Sequence, residues 1–279
     1  MSNEYNLRLS PKIGDILYAK AQLDYICFLY DTVNISINHD MYEWRSDGKT
    51  RGDLVAYHEF MTGLYSWLFS EKNYHINMDR TEYQHMDWPE IYLSHGIAPV
   101  KPCLRYYLKP FAIDLPEDYI VVMTKSVFFD IDKFNLESKP IWNALREKSS
   151  KCKLVVMGER EVELCYEKRL HGENYISMYE PIMENIPREN IIDMTVPALG
   201  ITSTKFSRFQ NDCSVIGRAK ACVTFGYGGA FCMATSFGKS VSYLNKTIGW
   251  VYQIFNNGFA DDCLATNDIA LWAKTLELA

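Results

Sequence analysis

The run Thr224-Phe225-Gly226-Tyr227-Gly228-Gly229-Ala230-Phe231 falls between a predicted strand at 221–225 and a predicted helix at about 230–237. Glycine lets the backbone approach a ligand closely and reach positive φ. The free N–H groups at a helix start draw an anion, typically a phosphate. In an open α/β sheet, ligands bind beyond the carboxyl ends of the strands, which is where this run lies. Gly228, Gly229 and Ala230 are therefore the candidate phosphate contacts. The alternative is a tight strand-to-helix turn that needs glycine only for packing. The run is neither a GxGxxG fingerprint with an acidic residue on the next strand nor a P-loop with its Gly-Lys-Ser/Thr.

A second run, Ser10-Pro11-Lys12-Ile13-Gly14-Asp15, again joins a first strand to a helix start through a glycine-containing turn. Such a turn can form an anion-friendly concavity. Asp15 is either the cap of the helix or a general base that accepts a proton from an acceptor hydroxyl. Lys12, Gly14 and His95 are the candidate residues on the acceptor side. Thr124-Lys125 follows the strand that opens the second half, where a lysine can meet a pyrophosphate as a point charge or simply face solvent. Gly158-Glu159 ends the next strand at the same sheet edge, and Glu159 is placed to accept hydrogen bonds from a nucleoside.

His39, His58, His75, His85 and His95 lack metal-ligand spacing, and ordinary surface or core histidines are the commoner case. Asp130 and Asp132 have the DxD spacing seen in metal-binding sites, a spacing common by chance. No metal site is expected, and no resident cofactor.

Around these residues the pattern alternates short β-rich runs with amphipathic stretches, as βα units do. In the first half it predicts strands near 7–9 and 33–37 and helices over about 15–30 and 53–69. Residues 74–110, rich in Tyr, His and Pro, read as loops with short elements. In the second half it predicts strands at 119–123, 153–157, 191–194, 221–225 and 240–244. Helices are expected at about 138–148, 206–219, 230–237 and 267–278. Prolines 110 and 116 mark the best linker. The expected division is 1–112, an acceptor-side domain; 113–265, a donor domain; and 266–279, a C-terminal helix.

The chain has 279 residues, 48% hydrophobic and 23% charged, enough for two modest domains with real cores. No stretch has the roughly 18 apolar residues a membrane span needs. The polar, acidic N-terminus lacks a signal-peptide pattern, so a cytoplasmic location is expected, in the host if the source is viral. The 8 cysteines are scattered without zinc spacing and are expected as buried free thiols. A net charge of −6 lowers, without removing, the expectation of nucleic-acid binding.

Taken together, three segments resemble the heptosyltransferase-type glycosyltransferases of family 9. They are Leu9-Ser10-Pro11-Lys12-Ile13-Gly14-Asp15-Ile16-Leu17, the strand pair Val121-Val122 and Lys153–Glu159 with Thr124-Lys125, and the stretch from Ala219 to Val241. The resemblance implies an α/β, GT-B-like fold of two Rossmann-like doubly wound domains facing a cleft. It also implies a nucleotide-sugar donor and metal-independent transfer to an acceptor hydroxyl. It raises Asp15 to a catalytic base and supports Lys125 and Gly228-Gly229 as phosphate contacts.

Two positions depart from the family. Tyr227 stands where it usually has Asp, and Cys232 where it usually has His. The first domain is short. The acceptor is therefore expected to be other than the family's lipopolysaccharide core: another saccharide, or hydroxymethylated bases in DNA as for compact phage enzymes. For the DNA case, Trp88, Tyr106 and Tyr107 would stack on a base. A non-catalytic nucleotide-sugar-binding module and a nucleotide-sugar epimerase are the remaining alternatives.

Overall fold

The computed structural model describes residues 3–9, 13–37, 54–70, 74–77, 95, 103–108, 113–128, 131–161, 174–197, 206–225, 228–243, 263–266 and 268–278. The chain divides into two compact units, Met1–Tyr107 with Ile201–Arg208, and Leu108–Gly200 with Phe209–Ala279.

The first unit is a βαβαβ run. It comprises β1 (Glu4–Leu9), α1 (Ile13–Ile26), a 3-10 turn at Cys27–Leu29, β2 (Thr32–Ile37), α2 (Leu54–Leu68) and β3 (Tyr74–Asn77). Its strands pair in parallel in the order β1-β2-β3. Leu7, Leu9, Val33 and Ile35 are buried from the strands, and Ile16, Leu17, Leu23 and Ile26 from α1. Every residue from Ile16 to Leu23 is buried, Lys20 and Gln22 included, so α1 is enclosed all round rather than on the one face its spacing predicts.

Strand β3 is one of the short elements expected within 74–110. Its four residues include His75 and Asn77 and carry little strand signal of their own; the parallel ladder to β2 makes them a strand. Helix α1 begins at Ile13, so Asp15 lies within its first turn rather than at its cap.

A charged group sits inside this unit. Lys20 is fully buried and pairs with Asp24 one helical turn on. Its ammonium also lies 5.3, 4.6 and 5.0 Å from the ring centres of Phe69, Tyr74 and Tyr107. The Tyr106 hydroxyl donates to the other Asp24 oxygen. The short turn Arg105–Tyr107 is thereby tied to α1 through Asp24 and Lys20.

The second unit holds β4 (Tyr119–Phe128), α3 (Ile131–Glu137), α4 (Lys139–Ser149), β5 (Lys153–Met157), β6 (Asn174–Ser177), α5 (Tyr179–Asn185) and β7 (Ile191–Asp193). It continues with α6 (Phe206–Arg218), which begins in the first unit's segment, then β8 (Ala221–Phe225), α7 (Gly228–Phe237), β9 (Ser240–Tyr243), β10 (Cys263–Thr266) and α8 (Ile269–Leu278). The sheet runs β10-β9-β8-β4-β5-β7, all parallel, with β6 antiparallel to the end of β4. Every residue of β8 is buried, as expected of a strand covered on both faces. Helix α4 starts with Pro140 in its first turn and turns Ile141, Trp142, Ala144 and Leu145 inward. Trp272 and Leu276 of α8 complete the same core with Val223, Phe225 and Val241.

Each unit is an α/β layer structure, the first on a parallel sheet and the second on a sheet parallel except for β6. No described helix is long and apolar enough to cross a membrane. The cysteines are mixed rather than uniformly buried. Cys213, Cys222 and Cys232 are buried, Cys27 and Cys152 half-buried, and Cys103 exposed. Cys103 lies outside the strands and helices, where no core is built around it. Cys165 lies outside the described residues.

Candidate functional site in the second unit

The strand order carries the first geometric fact. From β4 the chain moves outward through β5 to β7, returns to β8 beside β4, and continues outward through β9 and β10. The direction reverses between β4 and β8. At such a reversal, open α/β sheets bind ligands beyond the carboxyl ends of the strands.

The ladder opens at that point. Val122 faces Val223 and Ser126 faces Phe225, so β4 carries extra residues in between. Thr124 and Lys125 lie in this bulge. They are expected just after a strand ending at 123; the strand instead continues to Phe128 because β6 supplies new partners. Lys125 is opposite Ser177, and the Met178 N–H donates to the Thr124 carbonyl at 2.7 Å. A bulge of this kind re-aims side chains beside a site.

The turn after β5 is held from several sides. Gly158 has φ +111°, a conformation that suits glycine and strains other residues. Its carbonyl accepts from the Val196 N–H at 3.0 Å, and the Arg160 N–H donates to the Val196 carbonyl at 2.8 Å. The Glu159 carbonyl accepts two hydroxyls, Thr124 Oγ1 at 2.7 Å and Ser177 Oγ at 2.9 Å. With its backbone so placed, Glu159 brings Oε2 to 3.4 Å from Lys125 Nζ, and the two side chains are only 17% and 12% exposed. The structure thus joins Thr124, Lys125, Gly158 and Glu159 in one cluster.

Beside Glu159 stands a second polar group. Arg160 donates to Asp193 Oδ2 at 3.2 Å and to Thr195 Oγ1 at 2.8 Å, and lies over the Tyr179 ring. The Tyr179 hydroxyl donates to Asp193 at 3.0 Å, and the Thr195 N–H at 2.9 Å. For the Asp193 carboxyl, partial burial acts to raise the pKa. The bonds from Thr195 and Tyr179 and the Arg160 charge outweigh that and hold it below its ordinary value of 3.8. None of these residues stands in a recognisable motif; Arg160 alone adjoins Gly158-Glu159 in the sequence, and Tyr179, Asp193 and Thr195 give no sequence signal.

On the β8 side, α7 begins at Gly228 rather than Ala230. Gly228, Gly229 and Ala230 therefore form the helix's first turn, whose N–H groups have no partner within a helix. Ala230 is buried and Gly229 half-buried. Gly226 and Tyr227 lie outside the described residues. Between β8 and β9, three buried hydroxyls connect: Thr224 bonds Ser242, and Ser242 bonds Ser240 at 2.9 Å.

In the first unit Gly14 lies in the first turn of α1, Asp15 beside it; Lys12 lies outside the described residues. His95 is elsewhere. Its Nε2 is 2.6 Å from the Tyr30 hydroxyl, and its ring packs on Tyr5 and Tyr30. Tyr5 is near the amino end of β1 and Tyr30 precedes β2, so His95 sits at the sheet edge opposite the turn into α1. His95 and Gly14 thus lie at opposite edges of this sheet. Tyr106 is exposed and packs on Tyr107. His39, His85, Trp88 and Asp130 lie outside the described residues. Among the described residues no three His, Cys, Asp or Glu side chains converge as a metal site.

Neither a protein-family model nor a curated protein matches this sequence. Several solved structures align with this chain. The glycosyl transferase family 9 protein of Veillonella parvula has 11% identity and a TM-score of 0.45, over 99% of this chain and 97% of that one. The E. coli heptosyltransferase WaaC, with ADP-2-deoxy-2-fluoro heptose, has 8% identity and a TM-score of 0.45, over 99% and 98%. The iron-containing dodecameric glycosyltransferase TibC of enterotoxigenic E. coli has 13% identity and a TM-score of 0.44. The match covers 87% of this chain and spans 58% of TibC's length.

Proposed function

We propose that this chain transfers a sugar from a nucleotide-sugar to an acceptor hydroxyl, and that the donor binds in the second unit. One observation carries the reading. The reversal of strand order falls between β4 and β8, and there β4 bulges at Lys125 while β8 leads into the glycine turn that starts α7. A half-buried lysine and a helix start at the two sides of one crevice suit a diphosphate.

In this reading Lys125, Thr124 and the N–H groups of Gly228, Gly229 and Ala230 hold the diphosphate. Glu159, set by Gly158, accepts from the ribose hydroxyls. As the acceptor oxygen attacks the anomeric carbon, the bond from that carbon to the diphosphate oxygen breaks. The charge left on the diphosphate is met by Lys125 and the helix start, so transfer needs no metal ion. Asp15 takes the acceptor's proton. The resemblance to family 9 supports this role for Asp15.

The test is a thermal-shift screen with UDP, GDP, ADP, CMP and their sugars. A ligand that binds the native state raises its apparent stability by mass action. A rise with one nucleotide, lost in Lys125→Ala, supports the donor site. No rise with any nucleotide at millimolar concentration overturns it. With the nucleotide known, slow release of free sugar from the donor, removed by Asp15→Asn, tests the base. Saccharide and hydroxymethylated DNA acceptors are then compared directly.

A further inference from the structure

We propose that Glu159 is the resident counter-ion of Lys125, a latch that a phosphate must displace before the donor can bind. The inference rests on the donor-site reading above and adds to it a function for the ion pair.

The two partners are not held alike. The carboxylate stands on a backbone fixed by two hydroxyls on its own carbonyl and by the ladder from Gly158 and Arg160 to Val196. Lys125 reaches it on a flexible four-carbon stem. Their separation of 3.4 Å is longer than the roughly 2.7–2.9 Å of a tight charge-assisted bond. The pair is therefore close enough to neutralise the ammonium and loose enough to exchange. With both side chains largely shielded from water, their attraction is screened less than that of a surface pair.

An entering group must replace the charge that Glu159 supplies. A diphosphate does so, with several oxygens and more than one negative charge. A neutral sugar or a monovalent anion gains little by the exchange. The latch thus selects for the diphosphate half of the donor and leaves the Glu159 carboxylate, once released, available to the nucleoside half.

The experiment is calorimetric titration with inorganic pyrophosphate of the full chain and of Glu159→Gln, Lys125→Met and the double variant. Glutamine keeps the size of the side chain and the carbonyl that Thr124 and Ser177 hold. Glu159→Gln is expected to bind pyrophosphate about fivefold more tightly. Lys125→Met is expected to bind it at least tenfold more weakly. In the double variant, loss of the carboxylate should give no gain over Lys125→Met alone.

Unchanged or weaker binding by Glu159→Gln overturns the latch, as does a gain that persists without Lys125. If nucleoside diphosphates bind the unmodified chain and Lys125→Met weakens them, such a result sinks the latch and leaves the donor site standing. If neither pyrophosphate nor any nucleoside diphosphate binds, both ideas fail together.

Discussion

A Cβ added to Gly158 would stand 2.5 Å from Thr124 Oγ1, the hydroxyl that donates to the next residue's carbonyl. The two positions are therefore matched: a glycine at 158 makes room for the hydroxyl that fixes Glu159. Gly158→Ala would add overlap to a φ of +111° and is expected to cost about 3 kcal/mol. Combining it with Thr124→Ala should recover part of that, because the overlap goes and the backbone strain stays. Urea denaturation of the three variants decides. An additive result would show that the contact does not constrain the turn.

The buried hydroxyls of Thr224, Ser242 and Ser240 supply a second test. Ser242 is the middle of the three, so Ser242→Ala removes the partner of two fully buried hydroxyls. The expected loss is about 2 kcal/mol. Changing all three residues, to Thr224→Val, Ser240→Ala and Ser242→Ala, removes every stranded group and should cost less than three independent losses. A single-variant effect below about 0.5 kcal/mol would mean these bonds contribute little.

Lys20 and Asp24 should respond unequally to removal. Asp24→Ala takes the carboxylate from a fully buried ammonium and should cost about 3 kcal/mol. Lys20→Met leaves Asp24, which is 20% exposed, to water and Tyr106. It also puts a thioether among Phe69, Tyr74 and Tyr107, so the smaller loss is expected there. Equal losses from equilibrium unfolding would contradict the asymmetry.

Asp193 predicts a dependence on acid. Its pKa is depressed in the folded chain, so its contribution is full above the unfolded value, roughly 3.9, and is lost as pH falls through the lower folded value. Below about pH 4 the chain should therefore lose stability more steeply than Asp193→Asn. Parallel curves of unfolding free energy against pH would show that the Arg160, Tyr179 and Thr195 contacts do not couple to its ionisation.

Local pattern made some elements legible and left others hidden. Leu154-Val155-Val156-Met157 and Ala221–Phe225 read as strands because unbroken apolar runs are what two covered faces demand. The extension of β4 through Thr124-Lys125-Ser126 was illegible, since its polar residues find partners in β6, made some fifty positions later. Lys125 and Glu159 are each visible as strand-end residues, and their pairing is not, because it depends on that distant strand and on the turn at Gly158. His95 has partners that its local sequence does not reveal. A histidine before a glycine suggests a site, whereas its neighbours Tyr5 and Tyr30 give it a place in packing.

The position of α8 bears on how the second unit is made. Strand β4 begins at Tyr119 and is central to the sheet, yet its core closes only with Trp272 and Leu276. During synthesis the first strands of the unit leave the ribosome long before the helix that covers them. Pairings between residues so far apart in sequence form slowly. The core around β4, already partly lined by Ile141, Trp142 and Leu145 of α4, stays incomplete until α8 emerges, and that interval is when this chain most needs protection from aggregation.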